Sequence, residues 1–212
     1  MTKDGHKANE MLQRAYSVKN EAETKELYRD WATSYDETML DGLGYVTPQK
    51  TAAMMAEHLA DRGAEILDIG CGTGLAGVAL AKSGYRTIDG LDYSAEMLEV
   101  ARKTGAYRDL FEADLNAGLD LPDAKWDALI CTGTFTHSHV GADCLDELLR
   151  ILRPGGLFAT TIHGEVFAPA GFKDKTEALE ADGIMETIYR APGTFYANST
   201  KPEGEYFVWR KR

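Results

Sequence analysis

The order of apolar runs along the chain predicts an α/β domain with mostly parallel strands. Three observations carry that expectation. Short strand-like runs alternate with helical patterns from Glu65 to Ile162. A glycine-rich loop, Gly70-Cys71-Gly72-Thr73-Gly74, separates the first run from the helix behind it, and an acid, Asp92, closes the second run. A βαβαβ rhythm builds parallel strands joined by right-handed crossovers, with helices on both faces of the sheet.

Each element has its own signal. After a polar arm through about Glu21, residues Leu27, Tyr28, Trp31, Tyr35 and Met39 recur at spacings of three and four, which predicts one helical stripe over Glu23–Leu40. Gly42 and Gly44 interrupt it. Thr47 reads as an N-cap with Pro48 at the first helical position, opening a helix over Pro48–Asp61. Ile66–Ile69 is the first strand, and a small-residue helix follows the glycine loop to Lys82. Thr87–Leu91 is the second strand; Ser94 then caps a helix whose inner face carries Met97, Leu98 and Ala101. Strands are expected near Tyr107–Ala113, at Ala128–Cys131 and at Leu157–Ile162, with a helix over Ala142–Leu152 stopped by Pro154-Gly155-Gly156. A helix near Lys173–Ala181 precedes two strand-like segments, Ile184–Tyr196 and Glu205–Arg210. With turn residues Asn198, Ser199 and Gly204 between them, these read as an antiparallel hairpin at the sheet edge.

Composition narrows the partners. With 44% hydrophobic and 27% charged residues, the 212-residue chain has the make-up of a globular domain rather than a disordered, collagenous or coiled-coil one. At this length roughly 70% of the unfolded surface can be buried, so no metal or disulfide staple is required. Lys and Arg number 23 against 34 Asp and Glu, a net charge of −11. That field repels phosphate backbones and anionic headgroups, which makes nucleic acid a poor partner and favours a small molecule or a protein. Cys71, Cys131 and Cys144 lie far apart without CxxC spacing, which argues against a disulfide framework or thiolate zinc. The first thirty residues hold no apolar signal core and no run approaches a membrane span, so a cytoplasmic location is expected.

The glycine loop and Asp92 point to a nucleoside. Glycines let the backbone turn tightly and approach a ligand, while the free N–H groups of the next helix face the same crevice. Close βα packing alone would also explain such a loop. Asp92, twenty residues after Gly72, adds a carboxylate able to accept both hydroxyls of a ribose, and Ser94 already serves as the cap of the next helix. A dinucleotide loop would want a third glycine where Leu75 stands, and the Asp68 carboxylate would repel a pyrophosphate. No Walker lysine follows. The same carboxylate suits a cationic ligand without phosphate, such as S-adenosylmethionine.

The chain here resembles the class I S-adenosylmethionine-dependent methyltransferases. The likeness lies in Ile66–Gly74 (ILDIGCGTG), Gly90–Met97 (GLDYSAEM), Glu112–Leu115 (EADL), Trp126–Thr132 (WDALICT) and Leu149–Leu157 (LLRILRPGGL). Leu27–Tyr35 (LYRDWATSY) and Gly42–Thr47 extend it to the small methyltransferases of the Williams–Beuren region type. The resemblance implies a Rossmann-like fold: a seven-stranded, mostly parallel sheet with an antiparallel C-terminal strand and an N-terminal helical lid. It implies one methyltransferase domain over 1–212, with arm and lid helix in 1–47, cofactor-binding core in 65–163 and C-terminal helix and hairpin in 164–212. Tyr28 and Tyr35 would touch the cofactor from the lid. Asp68, Gly70, Cys71 and Gly72 would face its methionine and ribose portions, and Asp92 its ribose diol. Tyr93 and Met97 would flank the adenine, Asp114 and the Leu115 N–H would bond it, and Thr132 would sit near the methionine moiety. The demethylated product would be S-adenosylhomocysteine. Thr132–His139 lacks the Asn-Pro-Pro-Tyr of amino-methylating nucleic-acid and protein-glutamine enzymes, which weakens those substrate classes.

Chemistry at the acceptor has fewer signals. His137 and His139, after the fourth strand, are candidate bases because imidazole titrates near neutrality; polar turn residues without a role are the plainer reading. Phe135, His163 and Phe167 are candidates to line the acceptor pocket, with core or surface placement as the alternative. Cys71 is explained by small size alone. A metal site pairing the histidines with Asp143 is disfavoured, and no metal is expected. The expected activity is methyl transfer to a small-molecule acceptor. The competing readings are a catalytically silent cofactor-binding module, a methyltransferase acting on a lipid headgroup or protein, and a nicotinamide-dependent oxidoreductase.

Overall fold

The computed structural model describes residues 34–137 and 140–212, together with Met11, Gln13, Arg14, Glu23, Leu27 and Trp31. Seven strands form one sheet: β1 (Glu65–Ile69), β2 (Thr87–Asp92), β3 (Leu110–Glu112), β4 (Trp126–Phe135), β5 (Leu152–His163), β6 (Met185–Gly193) and β7 (Gly204–Lys211). Their spatial order is β3-β2-β1-β4-β5-β7-β6. The first five run parallel, and β7 inserts antiparallel between β5 and β6. The predicted hairpin is therefore present, with β6 rather than β7 at the edge.

Around the sheet lie α1 (Thr47–His58), α2 (Leu75–Lys82), α3 (Ala95–Lys103), α4 (Cys144–Ile151), the short α5 (Gly164–Phe167) and α6 (Phe172–Ala181). Period-two alternation sends β-strand side chains to two cores, as a sheet covered on both faces requires. Ile66, Ile88, Ala128, Ile130 and Val208 pack with Met55 of α1 and Leu80 of α2. Leu67, Leu129, Cys131, Phe158 and Trp209 pack with Leu148 of α4 and Leu179 of α6. Among the described residues no helix is long and apolar enough to cross a membrane.

Several boundaries differ from expectation for identifiable reasons. The single helix expected over Glu23–Leu40 is interrupted: Ser34 lies in a turn, and Glu37–Gly42 winds as a π-helix whose Leu43 N–H reaches back to Thr38 O. The extra residue in that turn keeps Met39 buried. Thr47 is not an N-cap. Val46 holds that position, and the Thr47 hydroxyl instead donates to Phe195 O at 3.2 Å. The Phe195–Ala197 segment also pairs with Gly44–Val46, so the loop between β6 and β7 clasps the start of α1. The helix expected to reach Leu152 ends at Ile151, because Leu152 already pairs with Trp126; Arg153–Gly156 then bulge out before Leu157 rejoins the ladder opposite Ala128. β3 is shorter than expected, since Tyr107 leaves the sheet direction to fill space under α2.

Candidate active site

The loop after β1 places backbone and carboxylate together. Gly70 and Gly72 both adopt positive φ, +64° and +54°, which a β-carbon would strain. At Gly70 a β-carbon would overlap the Thr134 hydroxyl, whereas at Gly72 the space is open. Cys71 N–H donates to Leu91 O at 2.9 Å, and Gly72 N–H donates to Asp92 Oδ2 at 2.8 Å, so the loop is pinned to the end of β2. Ser94 N–H donates to Asp92 Oδ1 at 2.9 Å, and Ser94 Oγ accepts from Met97 N–H, capping α3. Burial raises the Asp92 pKa, and the N–H groups of Ser94, Gly72 and Tyr93 hold that rise back.

Beside this carboxylate opens a cleft of about 270 Å³ at the C-terminal ends of β1, β2 and β4. Leu91, Tyr93 and Met97 form one wall, and Asp114, Leu115 and Asn116 another. Asp114 Oδ1 accepts from Asn116 N–H at 2.8 Å, which fixes the carboxylate in its turn. Thr132, Gly133 and Thr134 close the end nearest the glycine loop, and Tyr35 reaches in from the N-terminal segment, edge-on to Trp31 at 4.7 Å. That segment is tied to the loop where Thr73 Oγ1 donates to Asp36 Oδ1.

The structure thus brings Tyr35, Gly70, Gly72, Asp92, Tyr93, Met97, Asp114, Leu115 and Thr132 to one cleft. Others stand elsewhere. Asp68 is fully buried behind the loop: its Oδ2 accepts from Tyr107 OH at 2.6 Å, and its Oδ1 has no hydrogen-bond partner among the described residues. Burial lifts its pKa to about 7 against the opposing Tyr107 bond. Cys71 packs on Leu98 and Ala101 rather than facing the cleft, and burial, with Asp68 and Asp92 nearby, keeps its thiol protonated. Phe135 is a core residue, edge-on to Phe158 and 4.8 Å from Phe172, because the long β4 carries it under α6. Phe167 likewise packs on Phe207. His137 and His163 are ring neighbours at 4.8 Å, off the cleft wall, with His137 Nε2 2.8 Å from Glu165 Oε2. Burial, and then the proximity of His137, lowers the His163 pKa. Tyr28 and His139 lie outside the described residues. Thr134, Asn116, Tyr107 and Glu165 were not singled out from the sequence; only the positions of Thr134, past the expected end of the fourth strand, and of Asn116, past an acidic turn, hinted at them.

The residues present fit S-adenosylmethionine. Asp92 stands at the cleft with each oxygen fixed by a backbone N–H, where its carboxylate can accept from ribose hydroxyls. The space above Gly72 is open to a ligand, and Leu91, Met97, Ala113 and Val140 offer an apolar slot beside the Asp114 carboxylate.

A family profile described as a methyltransferase domain matches residues 67–160. Human methyltransferase-like protein 27 is 30% identical over 185 residues, covering 84% of this chain and 74% of that protein. A demethylmenaquinone methyltransferase of Clavibacter sepedonicus is 32% identical over 153 residues, covering 68% of this chain and 60% of the relative. Among solved structures, an S-adenosylmethionine-dependent methyltransferase of Mesorhizobium loti superposes with a TM-score of 0.55 at 17% identity, covering 71% of this chain and 91% of that one, a likeness of fold.

Proposed function

The chain belongs to the class I S-adenosylmethionine-dependent methyltransferases, and from that premise we propose that it methylates a small-molecule acceptor by in-line displacement. The observation that carries this reading is the Asp92 carboxylate, held by the backbone N–H groups of Gly72, Tyr93 and Ser94 at the floor of a cleft that also presents Asp114. When bound, the cofactor supplies a methyl group on a sulfonium. In this reading Asp92 takes the ribose hydroxyls, Tyr93 and Met97 border the adenine, Asp114 and the Leu115 N–H bond its edge, and Thr132 borders the methionine end. Alignment is the main task of the protein, and positioning can lower such a barrier by up to about 7–11 kcal/mol. The Tyr35 ring adds a cation–π contribution of about 0.5–2 kcal/mol where a sulfonium approaches its face. The small-molecule acceptor is supported by the net charge of −11, which disfavours phosphate backbones. The His137 imidazole is the candidate to take the acceptor's proton.

One observation favours a second reading, a module that binds the cofactor without transfer: His137 and His163 stand off the cleft wall, and Phe135 and Phe167 are in the core. Radiolabelled cofactor incubated with protein and fractionated extract separates the two. Label in the small-molecule fraction supports the proposal. Label only in lipid or protein redirects the acceptor, and micromolar cofactor binding by calorimetry without label in any fraction establishes the silent module.

A further inference from the structure

Off the cleft, two imidazoles and a carboxylate converge from three elements. His163 ends β5, Glu165 lies in the first turn of α5, and His137 follows β4. His137 Nε2 and Glu165 Oε2 are 2.8 Å apart, and one ligating atom from each of the three residues falls within 4.8 Å of the others. From the spacing of these three groups, we propose that His137, His163 and Glu165 bind a divalent first-row transition cation.

The donor set argues for that class of ion. Two imidazoles and one carboxylate suit zinc, iron, cobalt or nickel and leave coordination positions open, whereas magnesium and calcium prefer oxygen cages. Ligand bonds of about 2.1 Å place tetrahedral ligand atoms roughly 3.4 Å apart, against 2.8 Å between His137 Nε2 and Glu165 Oε2 and at most 4.8 Å across the three groups here. The frame is stiff where it must be: His163 is nine-tenths buried against the Phe195 ring at 5.8 Å. It is compliant elsewhere, since the His137 and Glu165 side chains are 26% and 75% exposed. One contact opposes the ion. His163 Nδ1 accepts the Glu165 N–H at 3.3 Å, at the long end of hydrogen bonds, and a cation must displace that bond or the proton on Nε2. The net charge of −11 on the chain favours cations over anions as ligands. A cation-bound His137 cannot also accept a proton, so metal loading and the base role are alternatives at one place.

The test uses tag-free, chelator-stripped full-length protein titrated with Co²⁺, followed by visible absorption and calorimetry, with Zn²⁺ as competitor. One ion per chain is expected, weakened at least about tenfold in His163→Ala, in His137→Gln and in Glu165→Gln. The last two exchange partly exposed side chains, so they keep the test readable if His163→Ala fails to fold. No binding, or binding unchanged in His137→Gln and Glu165→Gln, overturns the proposal. Because the titration contains no cofactor or acceptor, a failure to bind the ion leaves the methyl-transfer reading standing.

Discussion

The Gly72 N–H donates to Asp92 Oδ2 at 2.8 Å, joining the turn after β1 to the last residue of β2 across twenty positions of sequence. The bond aims the carboxylate and shapes the loop at once. Asp92→Asn keeps one oxygen acceptor but removes the charge and turns the other acceptor into a donor facing an N–H. Affinity for S-adenosylmethionine should drop by about 1.5–3 kcal/mol, the range of hydrogen bonds to a charged group. Calorimetry on wild type and variant reads this directly; equal dissociation constants would mean that the ribose lies elsewhere.

Asp68 makes a prediction about stability. Its pKa is lifted to about 7 by burial, above the unfolded value near 3.9. The fold therefore retains a proton that the unfolded chain releases. The stabilising contribution is complete below about pH 4 and is lost as pH rises through about 7. Asp68→Asn keeps an acceptor for Tyr107 OH and cannot ionise, so it should lose this part of the pH dependence, on the order of 4 kcal/mol. Urea unfolding of both proteins between pH 4 and 8 checks the slope, and parallel curves would contradict the assignment.

Asp92 and Asp68 show what was legible in the sequence and what was not. The strand–glycine loop–helix order and the acid closing β2 could be read because backbone geometry ties each to a fixed residue type at a fixed spacing. Asp68 sits two residues before Gly70, but which side of the loop its carboxylate faces depends on Tyr107, thirty-nine residues on. Likewise an aromatic at the end of β4 reads equally as pocket or core, and only the length of β4 and the position of α6 decide for Phe135. Glu165 carried no signal at all, because its approach to His137 is created by the turn from β5 into α5.

Phe135 gives that distinction a number. Fully buried against Phe158 and Phe172, it should act on stability rather than on acceptor affinity. Phe135→Ala should cost about 3–5 kcal/mol in denaturant unfolding. A loss below 1 kcal/mol would return the ring to the acceptor pocket.

The Arg108–Asp89 pair offers the sharpest energetic test. Asp89 is fully buried in β2 yet charged, with Arg108 Nε and Nη2 donating at 2.8 and 2.6 Å and Trp126 Nε1 at 2.8 Å. Burial pushes its pKa upward, but the Arg108 and Trp126 bonds outweigh that and hold it below the usual carboxylate range. Its contribution is therefore present above about pH 4 and lost as pH falls through the depressed value. Arg108→Ala strands the buried charge with one indole donor. Breaking such a pair costs about 3–5 kcal/mol, and the lower end applies because the Arg108 side chain is 38% exposed and water can partly replace it. Replacing both members, Arg108→Met with Asp89→Asn, should recover much of that loss, since the charge disappears while the amide oxygen still accepts from the Trp126 N–H. Denaturant unfolding at pH 7 of the single and double variants reads both effects; a double variant as unstable as Arg108→Ala alone would show that shape rather than charge governs this part of β2.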